Sequence, residues 1–453
     1  MNNKGFAISS IIYAILILFL ALIVGILGLL GNRKIILDKL KDNVIAKINN
    51  EEIYKPIYKD NSGASVPELS EGFIPVIYDG TNWIYADIHT KWYDYDLKEW
   101  ANAVMLKKDV YKSVGDVILD SEIDGYFVWI PRYKYKIFNS GIYTSYISNT
   151  KPTLSSAHEI EIVFEHNSTP KSNGSEIGEY LTHPAFTFGA EELNGIWVGK
   201  YETSGTVDDV NIIPNAVSLR NVNVKTMFEL SYNYNRDLDS HMMKNTEWGA
   251  VSYLSHSKYG INSEIRINNS SAFITGCAAT TSALNYVGVS QKDGSEGYFA
   301  GCENAYNTEI GGLASTTGNI TGVYDMSGGA WEYVAAYANT KLGSSGFDTS
   351  TISAYNNKYF DIYPSNSDIG TYSYRILGDA TGEMGPFYYY EDSDGTTRYH
   401  SSWYSDNSNF IGSTYPWFNR GGHYYNGVIS GSFRFSRNTG EALDYNTFRI
   451  VLK

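Results

Sequence analysis

The stretch FAISSIIYAILILFLALIVGILGLLG, Phe6 to Gly31, runs for 26 residues without a charge, and only Ser9, Ser10 and Tyr13 interrupt it with polarity. As a helix rising about 1.5 Å per residue it reaches roughly 39 Å, more than a hydrocarbon core requires. A cleaved secretory signal has a shorter apolar region and a small-x-small site, so this stretch reads as a membrane anchor. Beyond it, in NRKIILDKLKDNVIAKINN, Ile36, Leu40, Val44 and Ile48 recur every four residues, and Leu37 and Ile45 widen the stripe. With no proline from Met1 to Lys55, the periodicity predicts one helix of about 45 residues, apolar all round and then amphipathic.

Preceded by NKGF, this two-part helix resembles the type IV pilin family. The resemblance implies a basic leader, residues 1–5, cut between Gly5 and Phe6, then a transmembrane and amphipathic helix over 6–53. It also implies assembly with other pilins. The chain departs from the family at the fifth mature position, where Ser10 stands for the usual Glu. Arg33, Lys34, Lys39 and Lys41 follow the apolar span, and the positive-inside rule alone would keep the C-terminal side in the cytoplasm. The leader and the cysteines argue instead for export, to a cell surface or a pilus.

Charge divides sharply. Residues 1–50 carry a balance of +4, and the rest of the chain carries −18. An acidic body repels phosphate backbones, which argues against a nucleic-acid partner. Tyrosine is the outlier, at 39 residues beside 19 Phe, 9 Trp and 42 Gly; that composition favours strands and turns over helices. Cys277 and Cys302 are the only cysteines. They are either two buried thiols or, in an exported chain, a disulfide stabilising by roughly 3 kcal/mol. Neither has the companions of a zinc site.

Residues 54–120 read as a small β-rich connecting module, with a hairpin in IPVIYDGTNWIYAD turning at Asp79-Gly80. A second composition starts near GYFVWIPRYKYKIF and continues through GIWVGKYETSG, MMKNTEWGAVSYL, GNITGVYDMSGGAWEYV, RGGHYYNG and NTFRIVLK. In order and spacing these blocks resemble the formylglycine-generating-enzyme-like (sulfatase-modifying factor) family, a variant of the C-type-lectin fold. The likeness covers roughly residues 125–453. The expected architecture is therefore α+β: a long N-terminal transmembrane, pilin-like helix, a β-rich connector, and a C-type-lectin-like domain over 121–453.

The resemblance carries functional implications. Asn319, Gly322 and Tyr324 lie where the family binds structural calcium through side-chain and backbone oxygens. The oxidase members use two cysteines after the RGG, and those places fall here on Asn426 and Gly431. Amide and glycine cannot replace thiolates as soft-metal ligands, so no catalytic residue and no required cofactor are expected. GIWVGK lacks the P-loop spacing, and HExxH, GxSxG and GxGxxG are missing.

RGGHYYNGVISGSFRFSR, residues 420–437, then reads as a binding face. Period-two alternation places Phe433 and Phe435 on the core side and Ser432, Arg434 and Ser436 on the other. Tyr, Asn, Ser and Arg are residues that recognition surfaces use. The layout resembles the variable proteins of diversity-generating retroelements, which implies ligand contacts at His423, Tyr424, Tyr425, Asn426, Val428, Ile429, Ser432, Arg434, Ser436, Arg437, Asn438, Asp444 and Tyr445. The scaffold would be Gly421, Gly422, Gly431, Phe433, Phe435 and Phe448. The expectation is a surface-displayed adhesin or receptor for a protein or glycan ligand. A filament-tip pilin, or an enzyme with unrecognised residues, is the alternative.

Overall fold

Runs such as FIPVIY, NAVML and IDGYFVWIP are β-branched and aromatic, and such residues fit a pleated surface buried on both sides. The computed structural model describes residues 57–136, 160–173, 179–280, 297–363, 388–391, 398–401, 403–407 and 409–453. All belong to one compact unit, Pro56–Lys453. Strands β1 (Phe73–Tyr78) and β2 (Trp83–Tyr85) pair antiparallel as a hairpin. Its turn is closed by Asp79, whose Oδ1 accepts from the Thr81 and Asn82 amides at 2.8 and 2.7 Å.

Six further strands complete this sheet: β3 (Asn102–Leu106), β4 (Val117–Ile118), β5 (Ile123–Pro131), β6 (Gly195–Gly199), β7 (His241–Met242) and β13 (Ile450–Leu452). Their order is β7-β13-β6-β5-β3-β1-β2-β4. The last strand of the chain is thus enclosed between two others, with Val198 and His241 both opposite Val451. Phe73, Phe127, Trp129 and Trp197 come from β1, β5 and β6, with neighbouring rings 4.8–5.6 Å apart. Pairs of this kind each add about 0.5–1.5 kcal/mol beyond their buried area.

A second sheet is built on β8 (Trp331–Ala338), flanked by β9 (Asp361–Tyr363), β10 (Trp417–Gly421), β11 (Gly431–Asn438) and β12 (Asn446–Phe448). The order is β9-β8-β10-β11, with β12 running parallel to the start of β8. Helix α1 (Val224–Tyr234) is capped by Asn223, whose side chain accepts from Thr226. Helix α2 (Asn245–Ser255) is buried along its whole length. The indole of Trp248 on α2 donates to the Ser432 carbonyl at 2.7 Å, which locks the helix against β11.

Two expectations are corrected here. Among the described residues strand outweighs helix, with four α-helices of which the longest have 11 residues. None of these helices is long and apolar enough to cross a membrane, so an α+β class dominated by a long helix does not describe this fold. The helix expected over 6–53, and the leader site at Gly5 and Phe6, lie outside the described residues. Residues 54–120 are also no separate module. β3 pairs with β5 from Asn102↔Val128 to Leu106↔Ile123, so the supposed boundary runs through a continuous ladder.

Arg449, between β12 and β13, is the pivot from one sheet to the other. Its buried guanidinium donates from Nε and Nη2 to the two Glu332 oxygens at 3.0 and 2.5 Å. It also donates to the carbonyls of Gly199 at 2.8 Å and Tyr324 at 2.9 Å. Glu202 and Asp325, both raised by burial, complete a polar interior. The Glu202 carboxylate accepts from the Ala330 amide at 2.8 Å, which fixes the turn through Gly328 and Gly329, both at positive φ.

Candidate ligand-binding face

β10 and β11 are joined by a loop that starts with Gly421 and Gly422, each at φ +81°. A Cβ on Gly422 would lie 2.5 Å from Ser430 Oγ, so the tight return of the loop requires glycine here. A 3-10 segment, Tyr424–Ile429, follows. His423 caps it. Its Nδ1 accepts from the Tyr425 amide at 3.2 Å, and its own amide donates to Asn426 Oδ1 at 3.0 Å. Burial pushes His423 down to about 4, and the nearby Arg434 charge adds to the effect. The imidazole is therefore neutral near pH 7, and its accepting nitrogen is committed to the loop.

Around this cap gathers a cluster of rings from distant parts of the chain. His423 stacks on Tyr425 at 6.1 Å, and lies 5.8 Å from Tyr445 and 6.4 Å from Trp331. Tyr424 packs edge-on against Phe273 at 5.1 Å and Tyr298 at 5.4 Å. Three rings of this region stay open to water: Tyr425 is 39% exposed, Tyr445 36%, and Phe299 48%. Glu441 and Asp444 are exposed beside them.

Two arginines support the rings from within. Arg434 lies with its guanidinium 4.4 Å from the Trp331 ring centre, and its Nη1 donates to the Ile429 carbonyl at 2.7 Å. Burial pulls it down to about 9, against the opposing pull of Asp406. Arg220 sits 3.9 Å over Phe273 and donates to the Asp444 carbonyl. Arg434 is thus spent on the inner side, whereas Arg220 is half-buried beside Asp444, and Glu441 and Asp444 are exposed.

The sequence-derived contact residues do not all fall in one place. Tyr424, Tyr425, Asp444 and Tyr445 belong to the face; His423 and Asn426 shape its loop, and Ile429 supplies the carbonyl that holds Arg434. Of Val428 only the backbone, within the 3-10 segment, is described. Ser432 and Arg434 are buried, contrary to the alternation reading. The reason is that β11 is covered on both sides, by α2 through Trp248 and by its own preceding loop. Ser436, Arg437 and Asn438 lie toward the other end of the strand, so that at about 3.3 Å per residue Arg437 is about 20 Å from Gly431. There Arg437 donates to the Phe410 carbonyl at 3.0 Å. Missed by sequence reasoning were Phe273, Tyr298, Phe299 and Arg220. The Cys277–Cys302 disulfide ties together the two segments that carry the three rings, and nothing local marks Arg220.

The residues read as calcium ligands are turned to internal donors. The Gly322 carbonyl accepts from Lys200 Nζ at 3.0 Å, together with Ile320 O at 2.6 Å and Asn102 Oδ1 at 2.7 Å. Asn319 Oδ1 accepts from the Thr321 amide at 2.9 Å, and the Tyr324 carbonyl from Arg449. Lys200 Nζ thus occupies the oxygen cage at Gly322. Among the described residues no group of three His, Cys, Asp or Glu is placed to hold a metal. At the two positions matching the oxidase cysteines, Asn426 is bonded to His423, and a Cβ on Gly431 would collide with the buried Asp406 carboxylate. The chain matches no protein-family model, and comparison with curated proteins gives no match either.

Proposed function

We propose that this chain is a non-catalytic recognition protein, an adhesin or receptor displayed at the cell surface, on a formylglycine-generating-enzyme-like variant of the C-type-lectin fold. The observation that carries the reading is the ring cluster of Tyr298, Tyr424, Tyr425 and Tyr445, gathered from three segments of the chain, with Tyr425 and Tyr445 open to water and Glu441 and Asp444 exposed beside them. Rigid aromatics give large contact area at low entropic cost and dominate interface energetics. Its two arginines are committed to the Phe273 and Trp331 rings and to backbone carbonyls while Glu441 and Asp444 are exposed, so the ligand is a polypeptide segment presenting Lys or Arg side chains. A body of net charge −18 from residue 51 onward steers such a partner. Display outside the reducing cytoplasm is supported by the disulfide and by the apolar run Phe6–Gly31.

The test is a peptide array, spanning basic to acidic sequences, probed with the full-length protein and with its Tyr425→Ala/Tyr445→Ala variant. The double variant keeps the net charge, so non-specific attraction is unchanged between the two. Selection of Lys- or Arg-containing peptides by the wild type, lost in the variant, is the expected result. Equal selection by both proteins would refute the assignment of the face.

A further inference from the structure

Within the ring cluster, three tyrosines from two segments of the chain stand close together without stacking. Tyr298 lies 5.4 Å from Tyr424 and 6.2 Å from Tyr425, and the last two are 6.5 Å apart. Their planes cross at 69°, 50° and 80°, so they form three differently tilted walls rather than one layer. A triangle this small lets one cation lie within about 6 Å of all three ring centres, the range of a cation–π contact. Water reaches all three: Tyr425 is exposed, and Tyr298 and Tyr424 are partly so.

The surroundings favour positive charge. Arg220 already sits 3.9 Å over Phe273, the ring against which Tyr424 packs edge-on. The Tyr424 hydroxyl is pushed up by burial first and then by Tyr298 and Asp444, against the pull of Arg220. Burial, then Glu441 and Asp444, push Tyr445 up in the same way. The two carboxylates therefore place a negative potential over these rings.

Hydrogen-bond acceptors of the backbone, by contrast, are committed. The Phe299 carbonyl accepts from the Ser271 amide at 2.8 Å, that of His423 from the Asn426 amide at 2.8 Å, and that of Tyr445 from the Trp331 amide at 2.9 Å. The carbonyls of Ile429 and Asp444 accept from Arg434 and Arg220. A primary ammonium brings three N–H donors and a guanidinium five, and these lose water when the group enters among rings. A quaternary ammonium brings none, and its methyl groups pack on aromatic faces. Glu441 and Asp444 are exposed, and their attraction for a positive charge requires no N–H. Resting on the recognition reading of this face, we infer that its cation is a quaternary ammonium, the trimethylated side chain of a lysine in the partner polypeptide, seated between Tyr298, Tyr424 and Tyr425.

The experiment uses one Lys-bearing peptide from the array in three forms, with that lysine unmodified, trimethylated, or replaced by norleucine, each titrated calorimetrically into the full-length protein. Trimethylation should tighten binding about tenfold over the unmodified peptide, and norleucine should weaken it by a similar factor. Tyr425→Leu keeps an apolar side chain at an exposed position and removes the ring, so it should abolish the preference for the trimethylated form with the unfolding midpoint preserved. Tyr298→Leu should do the same from the other segment. Free choline should compete, but more weakly than the trimethylated peptide. The inference is overturned, with the recognition reading left standing, if the unmodified peptide binds as tightly as the trimethylated one, if the preference survives both leucine variants, or if the array yields arginine peptides alone. Choline that binds as tightly as the trimethylated peptide assigns the ammonium to a free or lipid headgroup and overturns the polypeptide source. If no form of the peptide binds, the recognition reading fails and the inference with it.

Discussion

Replacing Arg449 with Met removes the pivot that joins the two sheets and sets Trp331, next to Glu332, beneath His423. The guanidinium makes two bonds to Glu332 and one each to the Gly199 and Tyr324 carbonyls, all in the interior. Breaking a buried ion pair from one side costs about 3–5 kcal/mol, because the remaining partner is left as an uncompensated charge or must take up a proton. The two carbonyls that lose a donor raise the expected total to about 4–6 kcal/mol. Arg449→Met combined with Glu332→Met removes both charges. The double variant should then be more stable than the sum of the single losses by at least about 2 kcal/mol.

The effect also depends on pH. Burial holds Glu332 up at about 7 even with Arg449 beside it, against an ordinary value of 4.5. A carboxyl raised on folding binds its proton more tightly in the folded state. Stability therefore falls as pH rises from 4.5 to the folded value, and is level above it. In the wild type this fall ends near 7; without the guanidinium Glu332 rises further, and the fall continues. The stability gap between wild type and Arg449→Met should thus widen above pH 7, by up to about 1.4 kcal/mol per pH unit. Urea unfolding followed by tryptophan fluorescence at pH 7 and pH 8 measures both quantities. Additive single losses, or a gap that stays level between the two pH values, would refute the reasoning.

Other outcomes follow from the same geometry. Gly431→Ala drives a Cβ into the Asp406 carboxylate, whose Oδ2 accepts from the Phe433 amide at 3.0 Å; thermal unfolding should show a loss of about 1–3 kcal/mol. Burial lifts Glu264 to about 7, so Glu264→Gln should match the wild type at pH 4.5 and gain up to about 3 kcal/mol at pH 8 in urea titrations. Cys277→Ser/Cys302→Ser opens a loop with a separation of 25 residues, and should cost about 3 kcal/mol by the same assay. The cysteine variant should also weaken peptide binding, because Tyr298 and Phe299 lose their tie to the segment that carries Phe273.

What the sequence revealed, and what it concealed, has a physical pattern. Alternation in GSFRFSR correctly put Phe433 and Phe435 in the core. Alternation assigns opposite faces, however, and does not say whether the second face is covered. Here the preceding loop folds back, and Arg434 is enclosed between Trp331 and the Ile429 carbonyl. The hairpin at Asp79 was legible because its signal is local. The oxygens of Gly322 and Tyr324, read as calcium ligands, accept instead from donors 122 and 125 residues away, Lys200 and Arg449. No local spacing encodes such partners. Phe273 and Tyr298 reach the face through the disulfide, and two cysteines in a sequence give no side-chain destination. The connector over 54–120 looked separate because its composition shifts, whereas ladder pairing with β5 depends on register rather than composition.

The most direct measurement is the affinity of a Lys- or Arg-bearing peptide selected on the array, determined by titration calorimetry for the full-length wild type and for Tyr425→Ala/Tyr445→Ala. Two exposed aromatic anchors, each contributing about 1–2 kcal/mol, imply an affinity loss of about thirtyfold or more in the double variant, with the unfolding midpoint preserved. Equal affinities for the two proteins would contradict the account and remove recognition from this face.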